Sequence, residues 1–104
     1  MGIIASLDID AQKGFTPLCP NELPVAGGDT IVAALNAQAA LATLRAGSKD
    51  AHPANAPWVV TEPGAMLQPL ALANADLTWP AHCVPGTPGF EPVSYTHLTL
   101  PTKA

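Results

Sequence analysis

Hydrophobic and polar positions change rhythm several times along the first forty-eight residues. Residues 2–9, GIIASLDI, form a nearly continuous apolar run with β-branched side chains, the pattern of a strand buried in a parallel sheet. The run ends at Asp10 and gives way to AQKGFTPLCPNELPVAGG, whose three prolines predict a long irregular loop. Asp29, after Gly27 and Gly28, stands where a helix N-cap is expected. Behind it Ile31, Val32, Leu35, Ala39 and Ala42 recur at helical spacing, which predicts a helix over residues 30–42. A short second strand is expected over residues 43–48, leading into Asp50. From 51 to 92 no period is sustained, and WVVT and MLQPLAL are short apolar pieces between prolines.

Strand, loop, helix, strand and long loop, in that order, open a doubly wound, mostly parallel α/β sheet of the three-layer, Rossmann-like kind. Two strands do not make a stable sheet. The expectation is therefore the N-terminal part of such a domain, truncated. Composition agrees: apolar residues reach 48%, but alanine supplies much of this and aromatics only 5%, so the large side chains of a deep core are scarce.

Charge narrows the partners. The net charge is −4 with four Lys and Arg in all and no basic cluster, which disfavours nucleic acid and anionic membrane surfaces. The N-terminus has no basic region before its apolar run, and Asp8 interrupts that run, unlike a signal peptide. No run approaches the roughly 18 apolar residues of a membrane span. Cys19 and Cys83 form no CxxC pair, so a reduced, cytoplasmic protein is expected.

Three places could carry chemistry. Asp10 lies at the carboxyl end of the first strand, where open α/β sheets place their ligand crevice; it is either a proton acceptor or a loop carboxylate that caps a backbone N–H. Asp8, two residues earlier, either shares its face, so that the close carboxylates favour a proton acceptor, or is a buried acid with a distant basic partner. In DAHP, Pro53 drives His52 toward extended geometry. Asp50 and His52, two apart, then point the same way and make a two-point chelate for a divalent metal, or else belong to a solvated loop. His82, behind Trp79-Pro80 and ahead of VPGTPG, would complete a carboxylate and two imidazoles with positions left open for water or substrate. Adjacent residues of an extended chain face opposite sides, so if His82 faces the site Cys83 faces away, as a small buried hydrophobe.

Four segments in order resemble the isochorismatase-like cysteine hydrolases, and among them the nicotinamidase branch. They are Asp10, Gln12 and Phe15; VAGGDT at the helix start; Asp50, His52 and Pro53; and the long WPAHCVPGTPG run from Trp79 to Gly89. The resemblance spans residues 2–91 and implies the N-terminal half of a nicotinamidase-like amidohydrolase domain, covering 1–91. It implies Asp10 as the catalytic aspartate that takes the proton of a nucleophilic thiol. Asp50, His52 and His82 would hold a divalent metal, zinc, iron or manganese, that binds the pyridine nitrogen of nicotinamide. Phe15 and Trp79 would line the pocket around the flat ring. The implied reaction is attack of a thiolate on the carboxamide, release of ammonia and hydrolysis of the thioester to nicotinate, in NAD salvage. Partners would be a small nicotinamide-like amide and, for the intact enzyme, copies of itself in a homo-oligomer.

The chain departs from the family pattern at three points. After DAHP the stretch ANAPW has Ala56 and Trp58 and no further histidine; Gly14 stands where an acid usually precedes the phenylalanine; and neither the catalytic lysine nor the nucleophilic cysteine of the family's second half has a counterpart. The chain as given is therefore expected to be inactive. Residues 92–104, PVSYTHLTLPTKA, resemble a translated sequencing-adapter artefact and are expected to be a non-native tail, with a short C-terminal strand as the alternative. Other readings are an isochorismatase-like hydrolase of another substrate and a non-catalytic metal-binding remnant.

Overall fold

The computed structural model describes residues 2–72 and 75–93. β1 (Ala5–Ile9) and β2 (Leu44–Ser48) pair in parallel, Ala5 opposite Leu44 through Ile9 opposite Ser48. α1 (Val32–Ala39) connects them and packs on β1. Because the expected β1 begins at residue 2 and the observed strand at Ala5, only the part that meets β2 is regular. A second, antiparallel pair, β3 (Pro69–Leu72) and β4 (Ala75–Leu77), forms a separate two-stranded sheet. The result is a mixed α/β arrangement in which the described part of the expected sheet is the parallel β1–β2 pair. No helix among the described residues is long and apolar enough to cross a membrane.

The helix is shorter than its pattern. Gly27, at φ 83°, turns the chain into a single 3-10 turn over Gly28–Thr30, and the Thr30 hydroxyl donates to the Gly27 carbonyl at 2.7 Å. Asp29 is absorbed in that turn and does not cap α1; Ile31 holds the cap position with no side-chain hydrogen bond. At the other end the N–H groups of Leu41 and Ala42 reach back three residues to Gln38 and Ala39, so the last expected turn is tightened and leaves the α-helix. The face of Ile31, Val32, Leu35 and Ala39 is the half-buried one, as the helical spacing requires.

β1 contradicts the expectation of a strand apolar on both buried faces. Its buried residues are Ser6 and Asp8, while Leu7 and Ile9 are 55% and 69% exposed. Beneath the buried face, Gln38 Nε2 donates to Ser6 Oγ at 3.2 Å, and Arg45 binds Asp8 Oδ2 through Nε at 3.0 Å and Nη2 at 2.8 Å. Arg45 Nη1 also donates to Asn36 Oδ1 at 2.9 Å. Helix and sheet are thus joined through a buried polar network, and the apolar side of β1 is left largely exposed among the described residues.

The interior near the carboxyl ends of the strands is also hydrogen-bonded rather than greasy. Its fully buried side chains include Gln12, Thr16, Cys83 and Val93. Glu91 to Val93 run antiparallel to Ala11 to Lys13: Lys13 N–H donates to the Glu91 carbonyl at 2.8 Å and Val93 N–H to the Ala11 carbonyl at 2.9 Å. Pro92 and Val93, at the start of the expected tail, are therefore packed on this loop. Residues 94–104, with the alternative C-terminal strand, lie outside the described residues.

Candidate metal centre

The site grows from where β1 ends. Asp10 has φ 51°, a left-handed conformation that aspartate tolerates better than most residues. This removes its side chain from the alternation of the strand. Asp10 Oδ1 accepts from the Ser48 hydroxyl at 2.8 Å, and its N–H donates to the Ser48 carbonyl at 3.2 Å. Asp8 is meanwhile committed to Arg45, so the two carboxylates do not work as a pair and the distant basic partner is the correct alternative.

One turn further, Gln12 organises the second loop. Its side-chain carbonyl accepts from Asp50 N–H at 2.7 Å, and its Nε2 donates to the carbonyls of Asp50 and Phe90, each at 2.9 Å. A buried primary amide thus serves as an extra peptide unit that ties the ends of three loops together. Nothing local in the sequence announces this: the contacts span 38 and 78 positions.

Asp50, held in this way, and His52 two residues on do present their side chains to one point. His52 Nε2 lies 2.9 Å from Asp50 Oδ2, and His52 N–H donates to the Cys83 carbonyl at 3.3 Å. His82 approaches from the opposite loop with Nε2 3.5 Å from the same carboxylate oxygen. One donor atom from each of Asp50, His52 and His82 lies within 4.8 Å of the others. The Nδ1 of His82 is 2.7 Å from the Pro80 carbonyl, which can only accept, so Nδ1 carries the proton. In neutral His82 the Nε2 lone pair then faces a carboxylate oxygen. A cation between them satisfies both, and orientation of a ligand imidazole by a backbone carbonyl is the usual outer support of a metal site. The donors present, two imidazoles and a carboxylate, suit zinc, iron or manganese.

Cys83 is fully buried, as expected, but not by extended alternation: its φ is 51°. Burial first, then the nearby charges of Asp50, Glu22 and Asp10, push its thiol up to about 12. A thiol so far from thiolate is no nucleophile at neutral pH.

Beside the imidazoles opens a cavity of about 440 Å³, lined by His52, His82, Trp58, Trp79, Leu23 and Ala75 to Leu77, within the size range of small-molecule sites. Trp79 is one of its walls. Trp58, in the stretch where a further histidine is absent, stands edge-on to His52 with ring centres 4.8 Å apart and 5.8 Å from His82. Val59 bridges Trp79 in parallel, with Trp79 N–H donating to the Trp58 carbonyl at 3.0 Å, so the two backbone segments that carry the indoles are tied together. Phe15 is not among the lining residues; its ring meets that of His82, with centres 5.7 Å apart. Asp10 is not among them either. Trp58 and the β3–β4 edge are the pocket components that the sequence reading missed; the aromatic at 58 beside His52-Pro53 was the available signal.

No protein-family model matches the chain, and no curated protein is significantly similar to it in sequence. In structure it is similar to the Acinetobacter baumanii nicotinamidase/pyrazinamidase, with a TM-score of 0.68 and 31% identity over 96% of this chain. The fold is similar to half of a nicotinamidase. The chain covers 48% of that structure's length.

Proposed function

We propose that this chain supplies the metal-holding half of a nicotinamidase-like amidohydrolase of the isochorismatase-like superfamily. The observation that carries the reading is the convergence of Asp50, His52 and His82, both imidazoles lining a cavity that Trp58 and Trp79 also line. The likeness to a nicotinamidase gives that cavity a substrate class, a flat heteroaromatic amide. When bound, a divalent metal at the three donors would supply a Lewis acid to the ring nitrogen of such a substrate.

This chain's own residues then have separate duties. Trp58 and Trp79 line the pocket around the flat ring and exclude water, Phe15 backs His82, and Gln12 keeps Asp50 in place. Asp10 accepts the proton of a thiol supplied from outside residues 1–91, so that the thiolate attacks the carboxamide carbon. The C–N bond breaks, ammonia leaves with a proton returned by Asp10, and water hydrolyses the thioester to the carboxylate. Cys83 takes no part, because burial keeps it a thiol. The chain alone is inactive.

The test is to read the source locus across the codons for Glu91 and Pro92, express the complete frame and assay ammonia release from nicotinamide. The expected result is about a hundred further residues carrying a lysine and a cysteine, with metal-dependent release that Asp50→Ala abolishes. A complete frame that hydrolyses nicotinamide equally well with Asp50→Ala, or does not hydrolyse it at all, would contradict the proposal.

A further inference from the structure

Glu22, in the proline-rich loop, plays no part in the site as described so far. Its Oε1 accepts the Cys83 N–H at 2.9 Å, across 61 positions of sequence. To arrive there its carboxylate crosses Gly14 and Gly89, both buried. A Cβ on either glycine would collide with that carboxylate, and at Gly89 the three nearest atoms all belong to Glu22. Neither glycine has a positive φ; those are Gly27 and Gly86. Glycine at 14 and 89 thus leaves room for the carboxylate rather than supplying backbone freedom, and a side chain at either place would displace Glu22. Gly14 is also the place where the family resemblance leads one to expect an acid, so the charge enters the same region from another loop.

The hydrogen bond falls on a sensitive peptide. Cys83 follows His82 directly, holds φ 51°, and its carbonyl accepts the His52 N–H. One backbone residue therefore connects both imidazole ligands, and its unusual conformation has to be fixed from outside. We infer that Glu22 is a positioning residue of the metal centre, holding the left-handed Cys83 peptide so that His52 and His82 converge with Asp50. The inference rests on the metal reading above, and its test separates the two.

The experiment is a Co²⁺ titration of the full chain followed by visible absorption, together with the ¹H–¹⁵N shift of the Cys83 amide in the metal-free protein. Wild type takes up Co²⁺. Glu22→Ala weakens uptake about tenfold, the scale of a lost outer-shell contact, and changes the visible band, while the Cys83 amide proton moves upfield. Glu22→Gln, which keeps a carbonyl acceptor, stays near wild type. Gly89→Ala weakens Co²⁺ uptake as Glu22→Ala does, and in the double variant adds little, because the carboxylate it would strike is gone. Unchanged affinity and band in Glu22→Ala, or equal damage in Glu22→Gln, would overturn the role assigned to Glu22. Failure of the wild type to take up Co²⁺ would overturn the metal reading, and an unmoved Cys83 amide in Glu22→Ala would overturn the clamp regardless of metal.

Discussion

At the scale of single residues, the buried polar contacts set what can be changed. Asp8 and Arg45 are both almost fully buried and bound to each other, so Asp8→Ala removes the buried carboxylate that balances the guanidinium charge beneath the sheet. The expected loss is about 3–5 kcal/mol, measured as a fall in the urea midpoint; a loss below about 1 kcal/mol would show the pair to be dispensable. Cys83 gives a pH signature. The free thiol releases its proton near 9.0, the folded one only near 12, so between these values the unfolded chain binds fewer protons than the folded one. Stability from this group is therefore intact below pH 9 and declines as pH rises toward 12. Denaturation midpoints from pH 8 to 11 should fall more steeply for wild type than for Cys83→Ala. What the sequence made legible here was local: Asp50 and His52 share a side because Pro53 extends the chain, and His82 is framed by two prolines. Gln12 and Glu22 were illegible as site builders because their partners lie tens of residues away and no short-range pattern encodes a crossing between loops.

At the scale of elements, β1, α1 and β2 were readable because each has a local period, although the glycine turn at 27–30 took the first helical turn and with it the capping role of Asp29. The β3–β4 pair was not readable: prolines and leucines around residue 69 show no alternation, and the pairing itself is irregular. The sidedness of β1 departs from a strand buried on both faces for a physical reason. An apolar run marks a strand that some partner covers, and here, among the described residues, the face of Leu7 and Ile9 is largely exposed while the polar face is buried. Replacing both with threonine should alter the stability of this chain by no more than about 0.5 kcal/mol, as for other exposed positions, and should reduce self-association in sedimentation. A loss of several kcal/mol would mean that the face is already packed.

At the scale of the whole molecule, the uncovered face and the two-stranded sheet fit a chain that matches about half of a nicotinamidase structure. Parallel sheets are covered on both sides, and the proposed complement would close the apolar side of β1 while bringing a thiol toward Asp10. The proposed metal centre would need no such complement, since all three candidate donors and their supports, Gln12 and the Pro80 carbonyl, lie within residues 10–90. X-ray absorption of the zinc-loaded chain tests this most directly. The account predicts stoichiometric zinc with two imidazole nitrogens at about 2.0–2.1 Å and oxygen ligands completing the shell, and the loss of one imidazole in His82→Ala. Zinc that is absent after dialysis, or bound with an imidazole count unchanged by His82→Ala, would contradict it.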